Sequence, residues 1–253
     1  MVKQLKNLLA FLTIIPVHTD MDCLTDSAKC MYLFPIIGAF LGLIAGSFGW
    51  VASQFLPSLV AGVLTFGVLL LLTGLHHTDG LLDFGDAIMF QGTKERKIEI
   101  MHDQLTGSGA IGLGIMTYLV TAIAIGQFHS NILIQSIIVI EVCAKLSMVL
   151  GTWAGKSVHK GMNSPFMESM HGKYGTLRLL AALIISFAIT MPLMWFSGFL
   201  IAGFVVVIAA LICSLVMVAI AHFHFGGVTG DVLGASNEIT RMVCVIVLLV
   251  MIV

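Results

Sequence analysis

Residues Thr73–Asp86 read TGLHHTDGLLDFGD and follow directly on a long apolar run. On a helix, Asp79, Asp83 and Asp86 stand at offsets of 0, 4 and 7 residues. They share an arc of ~60° and spread over roughly 10 Å of axis. His76 falls on the same arc, and His77 points away from it. Three like charges on one face repel one another unless a cation sits among them. Hard, oxygen-only donors favour Mg²⁺ or Mn²⁺, which typically takes one or two carboxylates, waters and substrate phosphates. The alternative reading is a solvated, acidic first turn, where Asp is favoured by the helix dipole.

The rest of the chain argues against a solvated helix. Of its 253 residues, 58% are hydrophobic and 10% are charged, and the mean hydropathy is +1.06. Such values belong to polytopic membrane proteins. The net charge of −1 gives no sign of a nucleic-acid partner. The five cysteines (Cys23, Cys30, Cys143, Cys213 and Cys244) show no CxxC spacing, and read as small packing residues. The N-terminus MVKQLKNLLAFLTIIPV lacks a small-residue cleavage site and is followed by acids, so no cleavable signal is expected.

Apolar runs predict the architecture. Residues 5–17 are too short to span easily and suggest an interfacial or re-entrant helix. Long runs follow at 31–56 and 58–75, then 107–128 with 131–153, then 177–195 with 198–221, and a short run at 239–253 ends the chain. Gly38, Gly42, Gly46 and Gly49 recur near helical spacing in the first long run, the pattern of a close helix-packing face. The expected fold is all-α: one membrane-embedded domain over 1–253, with six to seven transmembrane helices plus short interfacial ones.

Charge sets the orientation. If tight hairpins turn near 57, 130 and 197, every long polar loop (76–106, 154–175 and 222–238) lies on one face. Nine of the twelve Lys and Arg then lie there: Lys29, Lys94, Arg96, Lys97, Lys156, Lys160, Lys173, Arg178 and Arg241. The positive-inside rule makes that face cytoplasmic. Glu141 and Lys145 stand four apart in mid-span, in the order that suits a helical ion pair. Charges at that depth by default suggest function, although a mutual pair could be structural.

Two more polar segments join the aspartates on the same face. Asp103 precedes Gly107-Ser-Gly, where the glycines would let backbone approach a ligand. Gly226–Asp231 reads GGVTGD, with Glu238 seven residues after Asp231. Glycines let backbone N–H groups gather round a phosphate, and a helix N-terminus favours the anion. Acids for a metal, lysines and a Gly-rich turn are what phosphoryl transfer needs.

GLHHTDGLLDFGDA, ERKIEIMHDQLTGSGA and GGVTGDVLGASNE, in this order and separated by apolar spans, resemble the cobalamin synthase family, the adenosylcobinamide-GDP ribazoletransferases. The first is similar to the family's GLHLDGLADTADG, the second to its E-I-M-[KR]-D-x-R-x-G, and the third to its GG-x-TGD-x-LGA. FLTIIPV at 11–17 looks like the FLTRLPV start. Ile14, Leu105 and Lys145 stand where the family commonly carries arginine, and either His76 or His77 takes the place of its histidine.

The resemblance implies a Mg²⁺-dependent integral membrane enzyme. It would join adenosylcobinamide-GDP to α-ribazole or its 5′-phosphate and release GMP. Asp79, Asp83, Asp86 and Asp231 are the implied metal ligands. Asp83, Asp86, Asp231 and His77 are the catalytic candidates. Lys145, Lys156, Lys160, Asp103, Gly227 and Gly230 are candidates for holding substrate and phosphate. Membrane lipid is the other expected partner, and assembly into a homo-oligomer is left open. Two other readings compete. A CDP-alcohol phosphotransferase-like lipid enzyme would show DG-x₂-AR with two further closing acids, which this chain lacks. A cation-coupled transporter would place its polar residues near the midplane between inverted repeats.

Overall fold

The structure, a computed structural model, describes residues 2–17, 23–158, 161 and 163–252. Lys160 therefore lies outside the described residues. Among the described residues the regular elements are all helices, and the one β feature is an isolated parallel bridge, Ser157 with Val228. In chain order the helices are α1 (Val2–Leu12), α2 (Cys23–Lys29), α3 (Phe34–Ser53, preceded by a 3₁₀ turn, Met31–Leu33), α4 (Ser58–Leu72), α5 (His76–Met89) and α6 (Lys94–Met101). There follow α7 (Ser108–Ile125), α8 (Ser130–Ala154), α9 (Ser164–His171), α10 (Gly175–Phe196), α11 (Leu200–Phe225) and α12 (Gly230–Ile252).

Six of these are long and apolar enough to cross a membrane: α3 with its leading turn, α7, α8, α10, α11 and α12. The expected all-α membrane bundle is thus the one observed. α4 is only 15 residues long and bends by 97° into α5. Gly74 and Leu75 make that bend, both with φ of +61°. Leu75 is the single non-glycine residue with positive φ among the described residues, a conformation that costs roughly 1–2 kcal/mol. α4 and α5 pass as apolar enough only together, as one bent pair, which adds a seventh crossing if the pair is a single span. α5 carries the polar, acidic part of that pair.

α8 is the axis of the bundle, with every residue from Ser136 to Thr152 buried. The glycine stripe of α3 lies directly on it. A Cβ added at Gly42 would sit 2.6 Å from the Ile138 Cα, and one at Gly38 would strike the Glu141 carbonyl. Gly49 meets Thr65 of α4 instead. In lipid, helices associate through such close contact, because there is no hydrophobic gain in leaving an apolar solvent. Large apolar side chains point outward, among them Phe196, Ile201, Ile184 and Val250, as a lipid-facing surface requires.

Two expectations need correction. The 222–238 segment is not a loop: α11 runs to Phe225, α12 begins at Gly230, and only 226–229 connect them. The last apolar run is accordingly not a short 239–253 helix but part of a 23-residue helix that includes Asp231, Glu238 and Arg241. The polar residues misled because they alternate with small ones, which a helix buried against protein accepts as readily as a loop.

Candidate active site

α5 lies across the first turns of α7 and α12. Glycine contacts fix both crossings. A Cβ at Gly80 would stand 2.8 Å from the Asp231 carbonyl oxygen and 2.9 Å from its Cα. One at Gly85 would stand 2.9 Å from the Gly109 carbonyl. Asp231, about 145 residues after Asp86, is thereby brought against the segment that carries Asp79 and Asp83.

The electrostatics follow from that packing. Asp83 is half-buried, and Asp79, Asp231 and Asp86 are its charged neighbours. Burial first, and then these three carboxylates in that order, raise its carboxyl to about 7. Asp79 is exposed, and Asp231 is partly so. Asp79, Asp231 and Asp86 all bear on Asp83, and His102 offsets part of the charge at Asp231. No three Asp, Glu, His or Cys side chains among the described residues stand close enough to hold a metal by themselves. The donor set still suits Mg²⁺, which binds through one or two carboxylates with waters and substrate phosphates and rarely in an all-protein cage.

Asp86 differs from its neighbours. Its Oδ2 accepts from the Gly107 N–H at 2.6 Å, and its Oδ1 accepts from the Ala110 N–H at 2.8 Å. It thus satisfies orphan donors at the start of α7. The Gly107 backbone does make the close approach expected of it, but to this carboxylate: a Cβ there would fall 2.6 Å from Asp86 Oδ1.

The α11–α12 turn is built in the same way. Gly226, with φ of +82°, ends α11. Thr229 then caps α12 by accepting from the Val232 N–H at 3.2 Å. Its hydroxyl also lies 3.4 Å from Asp231 Oδ2. The loop carrying Lys156 runs alongside: the Val228 N–H donates to the Lys156 carbonyl at 2.7 Å. Gly227 is buried against that same carbonyl, and Gly230 is exposed at the helix start. The Lys156 N–H donates to His222 Nε2 at 3.2 Å while His222 Nδ1 donates to the Val218 carbonyl at 2.8 Å. The Lys156 side chain is exposed at this junction.

α6 closes the side of the site. Lys94 Nζ donates to the His222 carbonyl at 3.2 Å, and Lys97 Nζ lies 3.0 Å from His224 Nδ1. These bonds tie α6 to the carbonyl end of α11, where cations are favoured. Thr93, directly before Lys94, caps the start of α6 by accepting from the Arg96 N–H. The neighbouring Glu95 carboxyl is held below its usual range by hydrogen bonds from its own backbone N–H and the Thr93 side chain. His102, which follows α6, is a charged neighbour of Asp231. Asp103 is exposed beside it.

Two candidates lie away from this cluster. His77 is 5% exposed and faces α12, with its Cα 3.4 Å from where a Gly234 Cβ would be. Its Nδ1 has no hydrogen-bond partner, but the ring does not share the open side with Asp79. Lys145 is fully buried and donates to Asn237 Oδ1 at 2.7 Å. Asn237 donates to Glu238 Oε1 at 3.0 Å.

The expected Glu141–Lys145 pair does not form. Glu141 instead takes Arg241 in a fork, with Nε–Oε1 at 2.5 Å and Nη2–Oε2 at 3.1 Å, and Glu238 binds Arg241 Nη1. Arg241 is thus inside the bundle and not on the cytoplasmic face, and Glu238 belongs to it and not to the Asp231 site. The i,i+4 rule failed here because a planar guanidinium offers a bidentate partner that an ammonium cannot. Thr229, His102 and Arg241 were missed as participants. A Thr two residues before an acid at a helix start was a legible capping signal for the first, and the other two carried none.

Residues 4–249 match the sequence profile of the cobalamin-5-phosphate synthase family. The chain is 34% identical to the adenosylcobinamide-GDP ribazoletransferase of Methanocella arvoryzae over 249 residues, covering 94% of this chain and 92% of the relative. The protein of the same name from Methanococcoides burtonii is 30% identical over 257 residues, covering 97% and 91%. That from Pyrococcus abyssi is 29% identical over 246 residues, covering 96% and 97%. No solved structure matches the chain. The three polar motifs that meet across α5, α7 and α12 therefore sit in a chain matched from end to end, and this chain belongs to the cobalamin-5-phosphate synthase family.

Proposed function

We propose that this protein joins adenosylcobinamide-GDP to α-ribazole or its 5′-phosphate, releasing GMP. The observation that carries the reading is the contact of Gly80 with the Asp231 backbone, which gathers acids from two distant helices on one polar face. A hydroxyl of the ribazole attacks the cobinamide-side phosphorus. The new O–P bond forms as the bridging P–O bond breaks, GMP departs with that electron pair, and the hydroxyl proton passes to solvent.

One or two of Asp79, Asp83 and Asp231 would hold Mg²⁺, with waters and the substrate diphosphate completing its shell. The ion, when bound, supplies positive charge against the diphosphate and the developing oxyanions. The chain's own part is positioning. Asp86 fixes the start of α7, Thr229 fixes that of α12, and the Gly226–Gly230 turn offers backbone at close range beside the exposed Lys156. Lys145 and His77 lie behind the acidic face and support the helices that carry it.

We place this face in the cytoplasm, because Lys29, Lys94, Arg96, Lys97, Lys156, Lys173 and Arg178 flank it. The test is direct. Detergent-purified protein with Mg²⁺ and both substrates should form GMP and cobamide in equal amounts, and chelation should stop both. Uptake of a substrate into vesicles without GMP release would favour the transporter reading instead.

A further inference from the structure

Beside the acidic cluster is a cleft of about 400 Å³ that the chemistry above leaves without an occupant. Met89 and Phe90, at the end of α5, form one wall, while Asp103 and Leu105, after α6, form the other. Gly107 and Asp86 close it toward α7. We infer that this cleft binds the guanine base of the GDP moiety, with the Asp103 carboxylate reading the base. The inference rests on the proposed transferase reaction for the identity of the nucleotide.

Size comes first. The cleft is at the small end of ligand sites, which run roughly 300–1,000 Å³. It has room for a purine base and its sugar, and not for a corrin macrocycle with its amide side chains. Position comes second. Asp86 lines the cleft and is also a charged neighbour of Asp83. A base seated here directs the attached diphosphate along α5 from Asp86 toward Asp83.

Chemistry comes third, and it separates the candidates. An ionised carboxylate only accepts hydrogen bonds. Asp103 is therefore a poor phosphate ligand, and of the substrate and phosphate contacts expected of it, the substrate contact is the one its chemistry suits. Guanine presents two adjacent donors, N1–H and the N2 amine, on one edge. Adenine presents an acceptor at N1, and the ribazole base, a benzimidazole, has an acceptor at its free ring nitrogen. Asp103 Oδ1 already accepts from the Leu105 N–H at 3.3 Å, which orients the carboxylate at the rim. Phe90, whose ring lies against Gly92 and is 38% exposed, supplies a stacking surface. Stacking is tolerant of base identity, so selectivity falls to the carboxylate.

The test is equilibrium binding of GMP, IMP and AMP to the full-length protein in detergent with Mg²⁺, which needs no turnover. IMP keeps N1–H and lacks the amine. Each lost hydrogen bond to a charged group weakens binding on the order of tenfold or more, so the expected order is GMP, then IMP, then AMP. Asp103→Asn should bring the three within about threefold of one another, and Asp103→Glu should keep the order. Phe90→Leu should weaken all three by one common factor.

A wild type that does not distinguish GMP from AMP overturns the inference, as does an Asp103→Asn variant that keeps the wild-type ratio. GMP release measured in parallel separates the two claims. Discrimination that depends on Asp103 in a protein releasing no GMP supports the base site and sinks the reaction. Normal turnover with discrimination indifferent to Asp103 sinks the base site alone.

Discussion

Two groups of charges lie along α12, and they are built in opposite ways. Around Glu238 and Arg241, two acids and two bases (Glu141, Glu238, Lys145 and Arg241) sum to zero, each at most 1% exposed and each hydrogen-bonded. Around Asp231, seven residues earlier, Asp79, Asp83 and Asp86 add three more acids on an open face, where the exposed His102 offsets only part of the charge. Burial demands balance, because an unpaired ion in a low-dielectric interior costs several kcal/mol. An open site can hold an imbalance if something from solution completes it. The buried group therefore joins α8 to α12, and the open group is the one that suits completion by a cation from solution. The sign of the summed charge, more than the presence of charge at membrane depth, tells the two apart.

The largest effect that would break this comparison is on activity. Asp83→Asn keeps the size of the side chain and removes one of the crowded charges. GMP release should fall by about 10³-fold, in the range seen when one electrostatic contact to a transition state is lost, while the amount of folded protein in membranes holds or rises. Full activity in this variant would return α5 to a structural role.

Next in size is the buried group. Arg241→Met leaves Glu141 and Glu238 facing one Lys145, for a net charge of −1, and should destabilise by about 3–5 kcal/mol. Adding Glu141→Gln restores a net charge of zero and should recover part of the loss, as read by thermal unfolding in detergent. If the double variant is no better than the single, charge balance is not what holds the network.

A smaller change should link the two regions. Gly80→Ala sets a Cβ within 2.9 Å of the Asp231 backbone, an overpacking worth about 1–3 kcal/mol. Because the two helices must separate at the site, turnover should drop more than stability does, about 10²-fold for a displacement near 1 Å. Equal, small losses in both would show that the crossing tolerates movement.

These regions were not equally legible in the sequence. The spans, the α3 glycine face and the three polar motifs could be read, because each is a local pattern repeated at helical period or bounded by glycine. Asp79, Asp83 and Asp231 were legible for the same reason, each being close to a glycine that admits the other helix. The partners of Glu141, Lys145 and Arg241 were not. They are chosen across 100 residues by which side chain best fits a guanidinium fork, and local spacing holds no information about that. Arg241 looked like a surface charge because the polar stretch before it looked like a loop. Asp86 looked equivalent to Asp83 on a helical wheel, and only the close approach of Gly107 shows that its oxygens serve α7.

The central claim is that acids on α5 and α12 form one centre. The most direct test measures Mg²⁺-dependent GMP release in Asp83→Asn, Asp231→Asn and the double variant. If the two carboxylates serve a single unit, either change dismantles it. The double variant should then be no slower than the worse single one. Rate losses that multiply would contradict the account and assign Asp231 and its glycine turn to a separate task.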